Sequence, residues 1–561
     1  MNQTDSQKSH EEQSHSQDRM RWPFALPYLL AIWSCLSIVQ NSALDIPPTE
    51  ILALTIAKVL LAIGATHLFL FFVVRRSPAR ELVLLTFVSF FAFFGAIRYA
   101  FDGILSESLL LGAWSAMHVV GVIAIMRMNS SSFTSKASFA LGVGLAVMVG
   151  FQLINVSIPV ANDYSKLKSL VERVHDSSGN ASQISSNKKD LPDIYYIIVD
   201  AYARADILDQ LYDFDNQPFT ESLQSRGFYI ADESRSNYNM TELSLASSLN
   251  MRHLPGLDLE DFNTRLPMRE LIRKSSVVKT LKSSGYTTIA FETGKSETEC
   301  TNFDQYIQYD KALCDYQDVL YHNSPLPSLV KVTGATRSAS RRHGDRTLFA
   351  LNSLPKVAQQ RDQPAFVFCH MLSPHPPYLF DEQGKEVDLH GQYLLADMTA
   401  FTSCFDYDLT VYRDAYREQL AFMNQRLIQM VDEIQSSDRE AIIIIQGDHG
   451  PRMGFGHRIR EWQNVEWRFR ESFSILNAIC MPSDSSDKNS SRKPDSNFYP
   501  SMTPVNTFRL IFNELFDAEL AMEDDTSFLE QNYKFSDLTD IARPLRTGQE
   551  SATETQLSKA N

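Results

Sequence analysis

Cysteine is scarce in this chain, with six among 561 residues and no pair at CxxC spacing. That absence excludes a zinc ribbon and a thioredoxin-like redox motif. Cys300 and Cys314 close a short polar loop, and the sequence leaves them open as a bridge or as two free thiols. Cys369 falls in an apolar run and reads as a small buried hydrophobe. An excess of positive charge is missing as well. The net charge is −15, and residues 1–165, with ten acids and ten bases, contribute none of it. The acidic remainder repels polyanions, which argues against nucleic acid as a partner. The first 20 residues lack an apolar core and are rich in Gln, Ser and His, so they read as a disordered cytoplasmic tail and not as a secretory signal. Wholesale disorder is excluded by 44% hydrophobic and 21% charged residues.

What the front of the chain does contain is apolar length. Five segments stand near 22–40, 51–74, 82–97, 108–126 and 138–158. A helix needs about 20 residues to cross a bilayer core, with about 17 as a lower limit. The third is marginal in length but uncharged. Arg19 and Arg21 precede the first segment, Arg75, Arg76 and Arg80 follow the second, and Arg127 and Lys136 follow the fourth. The other loops hold Asp45 and Glu50, then Arg98 with Asp102 and Glu107. Basic loops alternating with loops poor in base predict five transmembrane helices over 21–158, a cytoplasmic N-terminus, and an extracytoplasmic remainder at the plasma (inner) membrane. Lys58 lies inside the second segment, where snorkelling accounts for it without an ion pathway.

Residues 159–190 read as a linker, polar from 172 onward; patterned sequence resumes at 191 and runs to 541, and 542–561 is a polar tail. A Ser/Asp/Lys stretch at 483–497 reads as a surface insertion. Short, β-branched apolar runs at 194–200, 286–292, 365–371 and 441–448 suit strands buried on both faces of a parallel sheet. Between them, 416–434 carries Leu420, Phe422, Met423, Leu427, Met430, Val431 and Ile434 at helical spacing. Alternation of this kind predicts an α/β domain with a mainly parallel sheet, preceded by a multi-pass α-helical membrane region.

Metal-competent residues stand where those strands end. Asp200 closes the first run, His375 follows AFVFCHM, and Asp448-His449-Gly450 closes the last. Open α/β sheets bind ligands beyond the carboxyl ends of their strands. An Asp-His pair leaving an apolar strand together offers oxygen and nitrogen ligands suited to zinc or manganese, and Gly450 suits a tight turn after it. Taken singly, each residue also has a plain structural explanation. Asp200 alone could be a turn former, His370 a satisfied core histidine, and Thr241 an N-cap for the helix TELSLASSL.

Five segments in register, PDIYYIIVDAYARADIL (192–208), SNYNMTELSLASSLNM (236–251), FVFCHMLSPHPPYLFD (366–381), IIIIQGDHGPRMG (442–454) and FSILNAICMP with PVNTFRLIFNELF (473–482, 504–516), resemble the membrane-anchored sulfatase-like proteins of the alkaline phosphatase superfamily. Lipoteichoic acid synthases and phosphoethanolamine transferases are members of that group. The resemblance implies one divalent metal ion held by Asp200, Thr241, Asp448 and His449, with Thr241 as nucleophile. It implies that His375 contacts the substrate or the leaving group. Arg204 and His457, near the same motifs, are candidate substrate-binding residues.

The implied reaction is transfer or hydrolysis of a phosphate- or sulfate-type ester through a covalent threonine, with a membrane lipid or envelope glycan as substrate. Formylglycine sulfatases need Cys or Ser followed by x-Pro-x-Arg at the nucleophile, whereas this chain has TELSL, so that mechanism is not expected. Two other classes compete: an inactive accessory fold that binds an anionic lipid or glycan, and a transporter with an appended domain. Only Lys58, His67 and His118 are titratable inside the apolar segments, which is thin support for the transporter.

Overall fold

The computed structural model describes residues 22–537 apart from 42–48, 76, 102–103, 128–130, 178–190, 310–314, 334–338, 358–360, 362, 388–408, 453–464, 483–496 and 532–533. The chain divides into two compact units, residues 1–162 with 315–338, and residues 163–314 with 339–561.

The first unit is helical. It contains α1 (Trp22–Asn41), α2 (Thr49–Val73), α3 (Ser77–Ala92), α4 (Phe94–Ala100), α5 (Glu107–Arg127) and the first part of α6 (Ser131–Ser177). By length and composition, three described helices can cross a bilayer: Ile51–Val73, Glu107–Arg127 and Ala140–His175. Ala79–Ala92 and Phe94–Ala100, bent by 46°, make a fourth if they form one broken span, and Phe24–Val39 is apolar but shorter. Apolar helices stand at the five marked positions, but three of them, or four with the bent pair, are long enough to cross a bilayer, which fits a membrane-anchored region. Lys58 is exposed on the flank of α2. Two short helices from far along the sequence, α7 (Asp315–His322) and α8 (Leu326–Thr333), also belong to this unit. The Tyr316 hydroxyl donates to the Cys35 carbonyl at 3.2 Å, and the Ser328 hydroxyl to Glu107 at 2.6 Å.

The second unit is built on a seven-stranded sheet of order β2-β7-β6-β1-β5-β3-β4. Its strands are β1 (Asp193–Val199), β2 (Phe228–Ile230), β3 (Thr287–Phe291), β4 (Gln305–Ile307), β5 (Ala365–Met371), β6 (Ala441–Gln446) and β7 (Asn477–Cys480). β1 pairs in parallel with β5 and β6, β3 pairs in parallel with β5 and β4, and β7 is antiparallel to β2 and β6. The expected mainly parallel sheet is thus present, with β1 at its centre. Side chains of a strand alternate between faces. Accordingly Tyr195, Ile197 and Val199 enter one core with Leu420, Met423 and Leu427 of the helix Leu409–Gln435. Ile194, Tyr196 and Ile198 enter the other, with Leu245 and Leu249 of the helix Thr241–Asn250 and Phe508 and Phe512 of the helix Pro504–Phe516. All seven residues of β1 are buried, so its apolar composition is what a strand covered on both faces requires.

The boundary between the units departs from the sequence reading. Residues 159–177, expected as linker, continue α6, and the stretch from Asp163 groups with the second unit. Leu167, Leu170 and Val174 lie on one stripe of that helix, 5%, 0% and 1% exposed, and join the second core. Polar neighbours hide this stripe in the sequence. Asp163, fully buried, accepts from the Asn263 amide, the Asn263 side chain and the Thr264 hydroxyl. Cys300 is a buried thiol, its pKa pushed up by that burial; Cys314 lies outside the described residues.

Candidate metal centre

Three central parallel strands release their last residues to one end of the sheet, and the candidate site lies there. Asp200 follows β1, His370 is the penultimate residue of β5, and Asp448 stands two residues beyond β6. Their ligand atoms lie within 4.8 Å of one another, and all three residues are buried. His449 Nε2 is 3.6 Å from Asp200 Oδ1 and 3.5 Å from Asp448 Oδ2. Thr241 Oγ1 is 3.2 Å from the same nitrogen. Since His449 Nδ1 lies 2.8 Å from the Gly450 carbonyl, which can only accept, Nδ1 carries the proton and Nε2 presents its lone pair.

The loops are held by close backbone contacts. Ala201 adopts φ 61°, a left-handed conformation rare for a residue with a Cβ. Its carbonyl accepts from the Tyr416 hydroxyl at 2.9 Å and its amide donates to Asp448 Oδ1 at 3.2 Å, so the strained residue is tied on both sides. A Cβ on Gly450 would lie 1.9 Å from the Glu471 carbonyl oxygen. Glycine is thus required there by space; its φ is not positive.

Thr241 is the first residue of its helix and Met240 is the N-cap, so the capping role considered for Thr241 is not the observed one. Its hydroxyl reaches His449 instead, at the helix end where backbone N–H groups favour an anion. His375 follows β5 with Nδ1 2.7 Å from the Pro376 carbonyl, and its ring centroid lies 6.5 Å from that of His449. Burial holds the His375 pKa below its usual value against the pull of Asp200. At Asp200 burial raises the carboxyl, but His375, His370 and His449 outweigh it and hold it well below the usual range.

Arg204 does not point its charge into this cluster: its guanidinium bonds Asp206 at 2.6 and 2.9 Å and the Ser234 carbonyl at 2.9 Å. His457 lies outside the described residues. The sequence reading weighed His370 as a core histidine and passed over Lys295, Arg265 and Arg452. His370 is not a satisfied core histidine, since its Nε2 has no hydrogen-bond partner although Asp200 Oδ2 is 3.3 Å away. Its place after Phe366 and Phe368 on one strand face, at the strand's end, is the available signal. At Lys295 burial lowers the ammonium, while Glu242, Glu297 and Asp200 together leave it raised. Arg265 links Glu242 and Glu297 at 3.3 and 3.2 Å, and Arg452 donates to the Asn239 carbonyl at 2.9 Å.

Three buried atoms in this cluster are orphaned: Asp200 Oδ1, Asp448 Oδ2 and His370 Nε2. A buried polar atom without a partner is costly, and several converging acceptors without a donor call for a cation. Carboxylate and imidazole donors at these separations fit a zinc- or manganese-type ion.

A family model described as Sulfatase matches residues 192–493. No curated protein matches the chain. Among solved structures it is similar to the C-terminal periplasmic domain of EcEptC from Escherichia coli, at 11% identity over 65% of this chain and 98% of that one, with TM-score 0.42. The integral membrane protein lipooligosaccharide phosphoethanolamine transferase A (EptA) from Neisseria meningitidis is 12% identical over 88% and 95%, with TM-score 0.37. The lipoteichoic acid synthase LtaP from Listeria monocytogenes is 11% identical over 64% and 84%, with TM-score 0.36.

Proposed function

Because this chain belongs to the sulfatase family, we propose that its second unit is a metal-dependent enzyme that transfers or hydrolyses a phosphate- or sulfate-type ester through a covalent threonine. The observation that carries the reading is the convergence of orphaned Asp200 Oδ1 and Asp448 Oδ2 on His449 Nε2 beside the Thr241 hydroxyl. Asp200, Asp448, His449 and Thr241 would hold one divalent ion, with His370 facing the same space. Such an ion lowers the pKa of a bound hydroxyl and offsets charge on the transferred group's oxygens.

Thr241 Oγ then attacks the phosphorus or sulfur, its O–H bond breaks, and the ester bond to the departing oxygen breaks. The threonine proton would pass to His375 Nε2 or to water, and the departing oxygen would take up one proton from the same source as it leaves. His375 commits Nδ1 to a carbonyl, which leaves Nε2 to handle a proton at the leaving or entering oxygen. Water resolves the phospho- or sulfo-threonine in a hydrolase, and a second hydroxyl resolves it in a transferase. The apolar helices hold the unit at a membrane, which favours a lipid or envelope-glycan substrate, and the alternating basic loops favour the extracytoplasmic side.

Elemental analysis of the purified full-length chain tests this reading. About one zinc or manganese per chain is expected, by analogy with single-ion catalytic sites. A well-folded chain that takes up neither ion on supplementation would instead be the non-catalytic binding fold.

A further inference from the structure

The loop between β3 and β4 is more elaborately fixed than a connection requires. Glu299, buried to 1% exposure, accepts from the Gly294 amide at 2.7 Å, from the Thr293 amide at 3.3 Å and from the Tyr306 hydroxyl. Gly294 has φ 87°, and the Arg346 guanidinium stands where a Cβ would be, 1.9 Å from that position. The product of this bracing is the placement of one side chain. Thr298 is fully buried, and its hydroxyl lies 3.0 Å from His370 Nδ1.

A threonine hydroxyl has one proton to give and two lone pairs to offer. The Thr298 oxygen is 3.0 Å from Thr293 Oγ1 and 3.3 Å from the Lys295 carbonyl, which can only accept. Thr293 Oγ1 is already set by the Lys295 amide at 3.0 Å and the Lys295 carbonyl at 3.1 Å, so it is a ready acceptor for Thr298. The Thr298 proton therefore goes into its own loop, and its lone pair accepts Nδ1–H of His370. The opposite tautomer would need the Thr298 proton at Nδ1, away from both acceptors of its own loop.

We infer that Thr298 is a positioning residue: it fixes the His370 ring with Nδ1 protonated, so that the Nε2 lone pair faces Asp200 and Asp448 as a further ligand for the metal ion. The inference rests on the metal reading above and adds to it a residue that touches the ligand His370 and not the ion. Hydrogen-bond partners of metal-bound histidines orient the ring and raise its basicity, and their loss typically costs about 10- to 100-fold in metal affinity.

Zinc affinity of the chelator-stripped full-length chain, measured by competition with a chromophoric chelator, tests it without reference to turnover. Thr298→Val, which keeps shape and removes the hydroxyl, is expected to weaken zinc by about 10- to 100-fold. Thr298→Ser should bind like the natural chain. Because Thr298 acts through His370, Thr298→Val should cost nothing further in a His370→Ala background. Unchanged affinity in Thr298→Val, equal loss in Val and Ser, or additive losses in the double variant would each overturn the inference while leaving the metal site standing. A natural chain that binds neither zinc nor manganese would overturn both. If Thr298→Val lowers the melting temperature of the metal-free chain, the Ser variant and the additivity comparison still decide.

Discussion

Each of the two units buries a histidine against a carboxylate, and the two pairs are completed differently. In the membrane unit, His67 uses both nitrogens: Nδ1 is 3.1 Å from the Tyr28 hydroxyl and Nε2 is 3.1 Å from Glu81 Oε1, which Arg80 also approaches at 3.4 Å. These side chains join α1, α2 and α3. In the second unit, His370 is satisfied at Nδ1 alone, and its other nitrogen faces two carboxylates that carry orphaned oxygens. The His67 ring, matched at both nitrogens, ties helices together, although Glu81 Oε2 itself has no partner. A cluster of acceptors left incomplete at the ends of rigid strands reserves space for a cation. Among intramembrane groups, the sequence reading noted His67 and left out Glu81, which stands close after Arg80 and reads as a loop charge.

The strongest test of this contrast is at the proposed nucleophile. Thr241→Ala should still bind the ion through Asp200, Asp448 and His449 and keep its melting temperature, yet lower turnover of 4-nitrophenyl phosphate or sulfate by about 10⁴-fold or more. Wild-type turnover would move the nucleophile to another residue. Next in size is the double variant Asp448→Ala with His449→Ala. It should lose the bound ion altogether by elemental analysis, because it removes one orphaned oxygen and the imidazole beside it.

A smaller effect is expected from pH. Burial, assisted by Arg346 and His375, lowers the His343 pKa from 6.5 to about 3. The unfolded chain therefore binds a proton near pH 6.5 that the folded chain refuses, so this group's contribution is intact above pH 6.5 and declines as pH falls towards 3. Between pH 6.5 and 5 the loss is about 2 kcal/mol, at about 1.4 kcal/mol per unit. Thermal melts should show that slope, and His343→Gln should remove this part of it. The smallest effect sharpens the comparison from the other side. His67→Phe should destabilise the helical unit by about 1–2 kcal/mol, with no change in zinc affinity. A fall in zinc affinity matching that of His370→Ala would end the distinction between the two pairs.

Much of the fold was legible because burial on both faces demands it. The runs beginning at Ile194, Ala365 and Ala441 are strands, and the apolar periodicity of 416–434 is a helix. The helix past residue 159 was not legible, because its stripe of Leu167, Leu170 and Val174 is narrow among charged neighbours. Nor could the sequence show that 315–338 leaves the second unit for the helical one, since two short amphipathic helices read alike in either place. Asp200, Asp448 and His449 could be singled out in advance because they stand at strand ends, and Thr241 through the resemblance of its segment; their roles belong to the proposed function. Thr298 could not, because it enters the site through a contact across 72 residues of chain.

The sequence by itself determined a membrane-anchored helical region, an α/β domain with a parallel core, and the residues placed at its strand ends. Hydrophobic periodicity and chain order carry that information locally. Only the tertiary structure decided which of those residues share a centre, which histidine is satisfied and which is open, and where each unit begins. Those outcomes depend on distances between atoms far apart in the chain, and on which lone pairs remain after every local hydrogen bond is made.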